Sequence, residues 1–250
     1  MLLKGKIALI TGGASPRGLG LATARLFAEH GARVAIADID LAGARAAVST
    51  LKGRGHMALK CDVARRADCE KAVARVLARH GRIDVLFNNA GITSPKRLMD
   101  TDDATYDRVL DINMRGTFHM TQAVVPAMRA QKSGSIINMS SASAQKGGGI
   151  FGGSAYAAAK AAILGYTKAT ARECGPDNIR CNALCPSMID TDITGGTLTR
   201  AQMQAIIDSV PLGRLGRADE IAGVCLFLAS DLSTYVTGSE IDINGGSHIH

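Results

Sequence analysis

The segment YAAAK places Tyr156 and Lys160 four residues apart. In a helix that spacing brings both side chains onto one face, about one turn apart. A phenol with an ordinary pKa near 10 is a poor base at neutral pH, whereas a neighbouring ammonium favours the phenolate. The two residues are therefore a candidate proton acceptor and its activator, although the spacing alone equally describes a surface pair. Upstream, NMSSASAQKGGGIFGGSAY carries hydroxyls able to hold a substrate oxygen, with turn hydrogen bonding as their ordinary alternative role.

A second chemical feature is TGGASPRGLG, residues 11–20, between the apolar run KIALIT (6–11) and a segment of helical periodicity. Glycines 12, 13, 18 and 20 allow positive φ or close ligand approach, and the helix that follows would aim unpaired N–H groups at a phosphate. This is the context expected of a dinucleotide-binding turn. RVAIAD (33–38) ends in Asp38, 20 residues beyond Gly18, where a carboxylate would bond a ribose 2′-hydroxyl. Capping the next helix is the competing role for Asp38. A 2′-phosphate about 4 Å from that carboxylate would meet repulsion on the order of 4 kcal/mol at an effective dielectric near 20, which favours NAD. Arg17 pulls the other way, towards NADP.

These residues need elements to position them. Short apolar runs at 6–11, 33–38, 56–62, 83–88, 135–140, 179–185 and 240–244 alternate with helical patterns near 18–30, 41–52, 66–80, 102–131, 154–174 and 218–230, with a further helical piece near 199–208. Strands apolar on both faces suit a covered sheet. The alternation predicts an α/β fold, a doubly wound and mostly parallel sheet of about seven strands, whose ligands bind beyond the carboxyl ends. At 250 residues and 46% apolar content, one domain over 1–250 is expected.

Lysines and arginines number 29 against 22 acids, a formal charge of +7, but the densest basic stretch, 65–82, spaces its charges around a surface helix. A solvated face is the expectation there, with no nucleic acid as partner. Six cysteines form no CxxC pair and no histidine stands at zinc-ligand spacing, so no metal and a reduced, cytoplasmic setting are expected. No apolar run approaches the roughly 18 residues of a membrane span, so no membrane partner is expected either.

Thr11, Gly12, Gly18 and Gly20, then Asp38, NNAG (88–91), YAAAK and CPSMIDT (185–191) together resemble the short-chain dehydrogenase/reductase family over nearly the whole chain. The resemblance implies a Rossmann fold and hydride transfer between NAD, with NADP as the alternative, and a secondary alcohol or ketone. It assigns Tyr156 as proton acceptor, Ser141 as the donor to substrate oxygen, Lys160 to the nicotinamide ribose, and Asn113 to a water linked to Lys160. Ser143 is the alternative to Ser141, because the interval to Tyr156 is longer than in many members. Gly12, Arg17, Gly18, Leu19 and Gly20 would form the phosphate turn, and Asp62 and Val63 the adenine side. Asn89, Ala90 and Gly91 would support the cofactor, as would Pro186, Ile189 and Thr191. Ser187 replaces the glycine usual in that last segment.

Polyol dehydrogenases and 3-oxoacyl-carrier-protein reductases are the resembling members, which leaves sugars, polyols and acyl chains open as substrates. The segment 190–210, with Gly195–Gly196 as hinge, is expected to cover the substrate, and the family implies a homotetramer. A non-catalytic nucleotide-sensing or nucleic-acid-binding protein on the same fold is the alternative of another class.

Overall fold

The computed structural model describes residues 1–149, 152–192 and 199–249. Seven strands form one sheet: β1 Ile7–Thr11, β2 Arg33–Asp38, β3 Met57–Lys60, β4 Val85–Asn88, β5 Gly134–Met139, β6 Ile179–Pro186 and β7 Glu240–Ile243. Their order is β3-β2-β1-β4-β5-β6-β7, and every neighbouring pair runs parallel. The order reverses at β1, so β1 and β4 lie side by side while their crossovers leave in opposite directions, opening a crevice at their carboxyl ends.

The helices are α1 Leu19–Glu29, α2 Leu41–Ser49, α3 Arg66–His80, α4 Asp103–Leu110, α5 Gly116–Gln131, α6 Ala142–Lys146, α7 Ser154–Cys174, α8 Arg200–Asp208 and α9 Ala218–Ala229. Successive strand residues point to opposite sides, as the two-residue period requires. Ala8 and Ile10 join Phe27, Ile36 and Cys225 in one core layer beneath α1 and α9. Ile7 and Leu9 join Val73, Met120 and Ile136 in the other, beneath α3 and α5. All five residues of β1 are buried, which explains why its sequence is apolar without alternation.

Two expectations from sequence need correction. The helix expected over 102–131 is interrupted by a π-helical turn, Asp111–Arg115, in which the Gly116 N–H bonds back to the Asp111 carbonyl. The Asn113 side chain is the cause we identify, because its amide donates to the carbonyls of Val109 and Ile92 (both 2.9 Å) and so competes with the regular ladder. Short helix α6, not expected from its serines and alanines, starts where the Ser141 hydroxyl accepts from the Ser143 N–H (3.1 Å).

A buried polar ladder holds the middle of the sheet to the helix carrying YAAAK. Asn88 Nδ2 donates to Asn138 Oδ1 (2.9 Å) and Thr121 Oγ1 (3.0 Å), and Asn138 Nδ2 donates to Thr167 Oγ1 on α7 (2.9 Å). Removing one member leaves the others desolvated and unpaired. Asn138→Ala is therefore expected to lower unfolding free energy by about 2 kcal/mol, measured by urea denaturation. An unchanged midpoint would show the ladder contributes nothing.

Candidate active site

At the carboxyl ends of β1, β2, β4, β5 and β6 lies a cavity of about 1020 Å³. Gly12, Gly18 and Leu19 reach it from the turn after β1, Asp38 from β2, Asp62 and Val63 from beyond β3, and Asn89, Ala90 and Gly91 from beyond β4. Asn113, Ser141, Ser143, Tyr156 and Lys160 line its other half, and Pro186, Ile189 and Thr191 close it from β6. Of the proposed cofactor and catalytic residues, Gly20 and Arg17 do not line the cavity. Gly20 is buried behind the turn, where an added Cβ would stand 2.4 Å from the Gly12 carbonyl oxygen. Arg17 points instead to Asp190, with Nη2 to Oδ1 at 2.5 Å, and to Asp192, with Nε to Oδ1 at 3.7 Å.

The turn after β1 is shaped by close approach. Gly12 has φ +72°, and a side chain there would collide with the Ala90 backbone at 2.7 Å. Thr11 Oγ1 accepts the N–H groups of Asn89 (3.1 Å) and Ala90 (3.0 Å), while Asn89 Nδ2 donates to the carbonyls of Thr11 (3.0 Å) and Gly12 (2.7 Å). Asn89 therefore serves as a brace between the two turns. Gly18 caps α1 with no side-chain hydrogen bond, and no acid stands in the first turn of that helix. Its first N–H groups are left for a ligand, an arrangement suited to an anionic diphosphate.

The capping role that the sequence left open falls to Asp40 and not to Asp38. Asp40 caps α2 by accepting from the Gly43 N–H (3.0 Å). Asp38 accepts from the Ala14 N–H through Oδ2 and the Asp40 N–H through Oδ1, both at 2.9 Å, and still lines the cavity. Each oxygen keeps a lone pair for a hydroxyl donor.

In the opposite half, α7 carries Tyr156 and Lys160. Lys160 is 3% exposed, its Nζ donates to the Met139 carbonyl at the end of β5 (2.8 Å), and it lies 5.6 Å from the centre of the Tyr156 ring. Ser140 Oγ donates to the Lys160 carbonyl (2.8 Å), fixing the helix to the strand a second time. The Ser141 hydroxyl hydrogen-bonds the Tyr156 side chain. Of the two candidate serines, Ser141 is thus the one joined to the phenol. Asn113 Oδ1 is buried without a partner and faces Gly91, where a Cβ would sit 2.6 Å from that oxygen and 3.4 Å from Lys160 Nζ. With no side chain at Gly91, the polar atoms of Asn113 and Lys160 border the same space.

The electrostatics differ from the simple pair read in the sequence. Burial pushes the Tyr156 phenol above its ordinary value, opposed by the Ser141 hydrogen bond. Burial also pushes Lys160 down to about 7. Lys160 Nζ lies over the Tyr156 ring, and burial is the leading cause of both shifts.

Sequence spacing gave no sign of three contributors: the Met139 carbonyl, the Ala14 N–H and the Asp190–Asp192 pair that takes Arg17. Only a strand end at the right register, or a contact spanning more than 170 residues, brings them in. Ser187, the departure from the family's glycine, uses its hydroxyl to donate to the Asn244 carbonyl (3.1 Å) beyond β7. The hinge expected at Gly195–Gly196 lies outside the described residues, whereas Ala205 and Ile206 of α8 do line the cavity.

A crevice at the switch point, an uncapped helix start, an acid at the end of β2 and a buried Tyr–Lys pair define a dinucleotide-dependent oxidoreductase. Comparison with known proteins agrees. A family model described as Enoyl-(Acyl carrier protein) reductase matches residues 12–248. An uncharacterized short-chain type dehydrogenase/reductase of Sinorhizobium fredii is 53% identical over 253 residues, covering 100% of both chains. The 3-oxoacyl-(acyl-carrier-protein) reductase of Thermotoga maritima is 43% identical over 251 residues, covering 98% of this chain and 99% of that one. Among solved structures, 3-ketoacyl-(acyl-carrier-protein) reductase from Brucella melitensis complexed with NADH superposes with a TM-score of 0.90 at 33% identity, covering 99% of this chain and 100% of that one. The chain belongs to the short-chain dehydrogenase/reductase family, enzymes that act on CH–OH groups with a nicotinamide cofactor. Among the described residues, no helix is long and apolar enough to cross a membrane.

The depressed Lys160 has a consequence for stability. The folded protein binds this proton less tightly than the unfolded chain, whose lysine titrates near 10.5. The group's contribution is therefore complete above that value and is lost as pH falls towards about 7. The stability of the native chain relative to Lys160→Met should rise between about pH 7 and about pH 10, followed by urea unfolding at each pH. A flat difference would show that Lys160 keeps an ordinary affinity for its proton, and a falling one that the folded protein binds it more tightly.

Proposed function

We propose that this protein is an NAD-preferring dehydrogenase/reductase of secondary alcohols and ketones, with Tyr156 as proton acceptor in the oxidative direction. The observation that carries the reading is the joining of Ser141, Tyr156, Lys160 and Asn113 at one end of a cavity whose other end is built for a dinucleotide. When bound, the nicotinamide supplies the hydride acceptor and a positive charge near the phenol. Tyr156, deprotonated under that charge, would take the alcohol proton, and the Ser141 hydroxyl would orient the same oxygen. Lys160, held by the Met139 carbonyl, holds the nicotinamide ribose and passes a proton towards the room beside Asn113 Oδ1. An amine titrating near 7 both donates and accepts at neutral pH, which suits a relay.

NAD is preferred because Asp38, Asp40 and Asp62 all border the adenosine end of the cavity, while the cation of the phosphate turn, Arg17, is paired elsewhere. A 2′-phosphate there meets carboxylates and a ribose hydroxyl meets acceptors. The NADH complex of the Brucella relative supports this reading. The Gly12, Gly18 and Leu19 turn would hold the diphosphate, with Asp62 and Val63 at the adenine and Pro186, Ile189 and Thr191 at the nicotinamide.

A sugar or polyol is the substrate class we favour for the wall formed by Ser141, Ser143, Gly148, Gly149 and Gly152. The second reading is a 3-oxoacyl-carrier-protein reductase. Its support is the Thermotoga relative, together with Arg108 and Lys146, two cations on the cavity border with no ion pair among the described residues. A panel of secondary alcohols, ketones and 3-oxoacyl thioesters, run in both directions with NAD and NADP forms, separates the two.

We also propose a single catalytic unit working in the cytoplasm as a homotetramer, its cavity bordered by Ala205 and Ile206 of α8. Edge strand β7 and the exposed side chains of Phe227, Leu232 and Tyr235 supply apolar surface for that assembly. A monomer in sedimentation would remove it.

Tyr156→Phe should lower turnover roughly 100- to 10,000-fold with little change in ADP-ribose binding by calorimetry. Retained turnover would refute the proton-transfer role. Asp38→Ala should raise kcat/KM for NADP relative to NAD by about tenfold, since losing about 1.4 kcal/mol of repulsion suffices. A ratio moving the other way would mean Asp38 does not face the ribose.

A further inference from the structure

We infer that Asp190 and Asp192 are specificity-determining residues that keep NADP out by occupying Arg17, an inference that rests on the NAD preference proposed above. Arg17 is the sole cation in the turn 11–20. That turn is tied to the end of β2, where the Ala14 N–H meets the Asp38 carboxylate (2.9 Å). A guanidinium on this turn would ordinarily be the group available to a phosphate added to the adenosine ribose, because its planar fork matches phosphate oxygens.

Here the fork is taken. Nη2 meets Asp190 Oδ1 at 2.5 Å and Nε meets Asp192 Oδ1 at 3.7 Å, while the other Asp192 oxygen accepts from Ser15 Oγ (3.0 Å). Both acids come from the segment after β6, more than 170 residues along the chain, so the clasp crosses from one bank of the cavity to the other. One positive charge faces two negative ones, and the neighbourhood of the turn is left net negative. A 2′-phosphate would have to displace a paired guanidinium and then sit beside the freed carboxylates; a 2′-hydroxyl does neither.

The side chains are 58%, 64% and 48% exposed for Arg17, Asp190 and Asp192. Exposed pairs are screened, so freeing Arg17 is worth about fivefold at most per pair broken.

The test is a cycle of four proteins: native, Asp190→Asn/Asp192→Asn, Arg17→Ala, and all three changes together. Calorimetry with ADP-ribose and 2′-phospho-ADP-ribose gives binding without turnover, and kcat/KM with NAD and NADP is read alongside. The native protein should bind ADP-ribose the more tightly. The two aspartate changes together should shift the ratio towards the 2′-phosphorylated ligand by about fivefold. Arg17→Ala should leave the ratio within about twofold in the native background and abolish the gain in the doubly changed one. A ratio unmoved by the aspartate changes, or a gain that survives loss of Arg17, overturns the inference while leaving the NAD preference standing. A native protein that binds the 2′-phosphorylated ligand more tightly overturns that preference and the inference with it.

Discussion

The site depends on one hydrogen bond, from Lys160 Nζ to the carbonyl of Met139. It joins α7, which carries Tyr156 and Lys160, to the end of β5, two residues before Ser141. A buried amine must find an acceptor or lose its proton, and here it does both in part. With Ser140 binding the Lys160 carbonyl as well, the helix cannot slide along the strand without leaving two buried polar groups unpaired. The separation of Tyr156 from Ser141 is thus set by the sheet and not by the glycine-rich connection between them.

That constraint explains why a long and irregular connection is tolerated. The run from Gly147 to Gly153 contributes Gly148, Gly149 and Gly152 to the cavity wall but positions neither end of the proposed catalytic set. Gly152 is backed by Tyr156, where a Cβ would come within 2.7 Å of the ring. Length added here changes the substrate wall and leaves the proton-transfer geometry alone, which is how loops on a rigid sheet diversify function.

Much of the fold could be read from apolar runs because the sheet is covered on both faces, and every strand expected from them is present. The bounds of α7 agree to the residue, its start marked by Gly153 and its end by Gly175. What escaped were features made by contacts distant in sequence. The π-helical turn at Asp111–Arg115 depends on Asn113 reaching the carbonyl of Ile92, and α6 depends on Ser141 folding back on the Ser143 N–H. Neither leaves a periodic trace. The YAAAK spacing did place Tyr156 and Lys160 together, but it could not show that both groups would be buried, which shifts the phenol up and the amine down. A lysine's charge is a property of its surroundings, and those came from β5.

The distribution of charge in the cavity orients the ligand. Asp38, Asp40 and Asp62 gather at one end, the unblocked start of α1 supplies positive partial charge near the middle, and Lys160 stands at the other. A molecule with hydroxyls at one end, a diphosphate in the middle and a polarisable ring at the far end meets a favourable partner at each point. Reversed, its outer groups would face unsuitable neighbours even though the diphosphate remained in place. In the proposed scheme Arg17 would blur this pattern by putting a full positive charge on the turn after β1, and its pairing with the two aspartates after β6 offsets that charge. Binding in one direction is the precondition for hydride transfer at one face, so the acids far from the phenol belong to the same chemical design as Tyr156 itself.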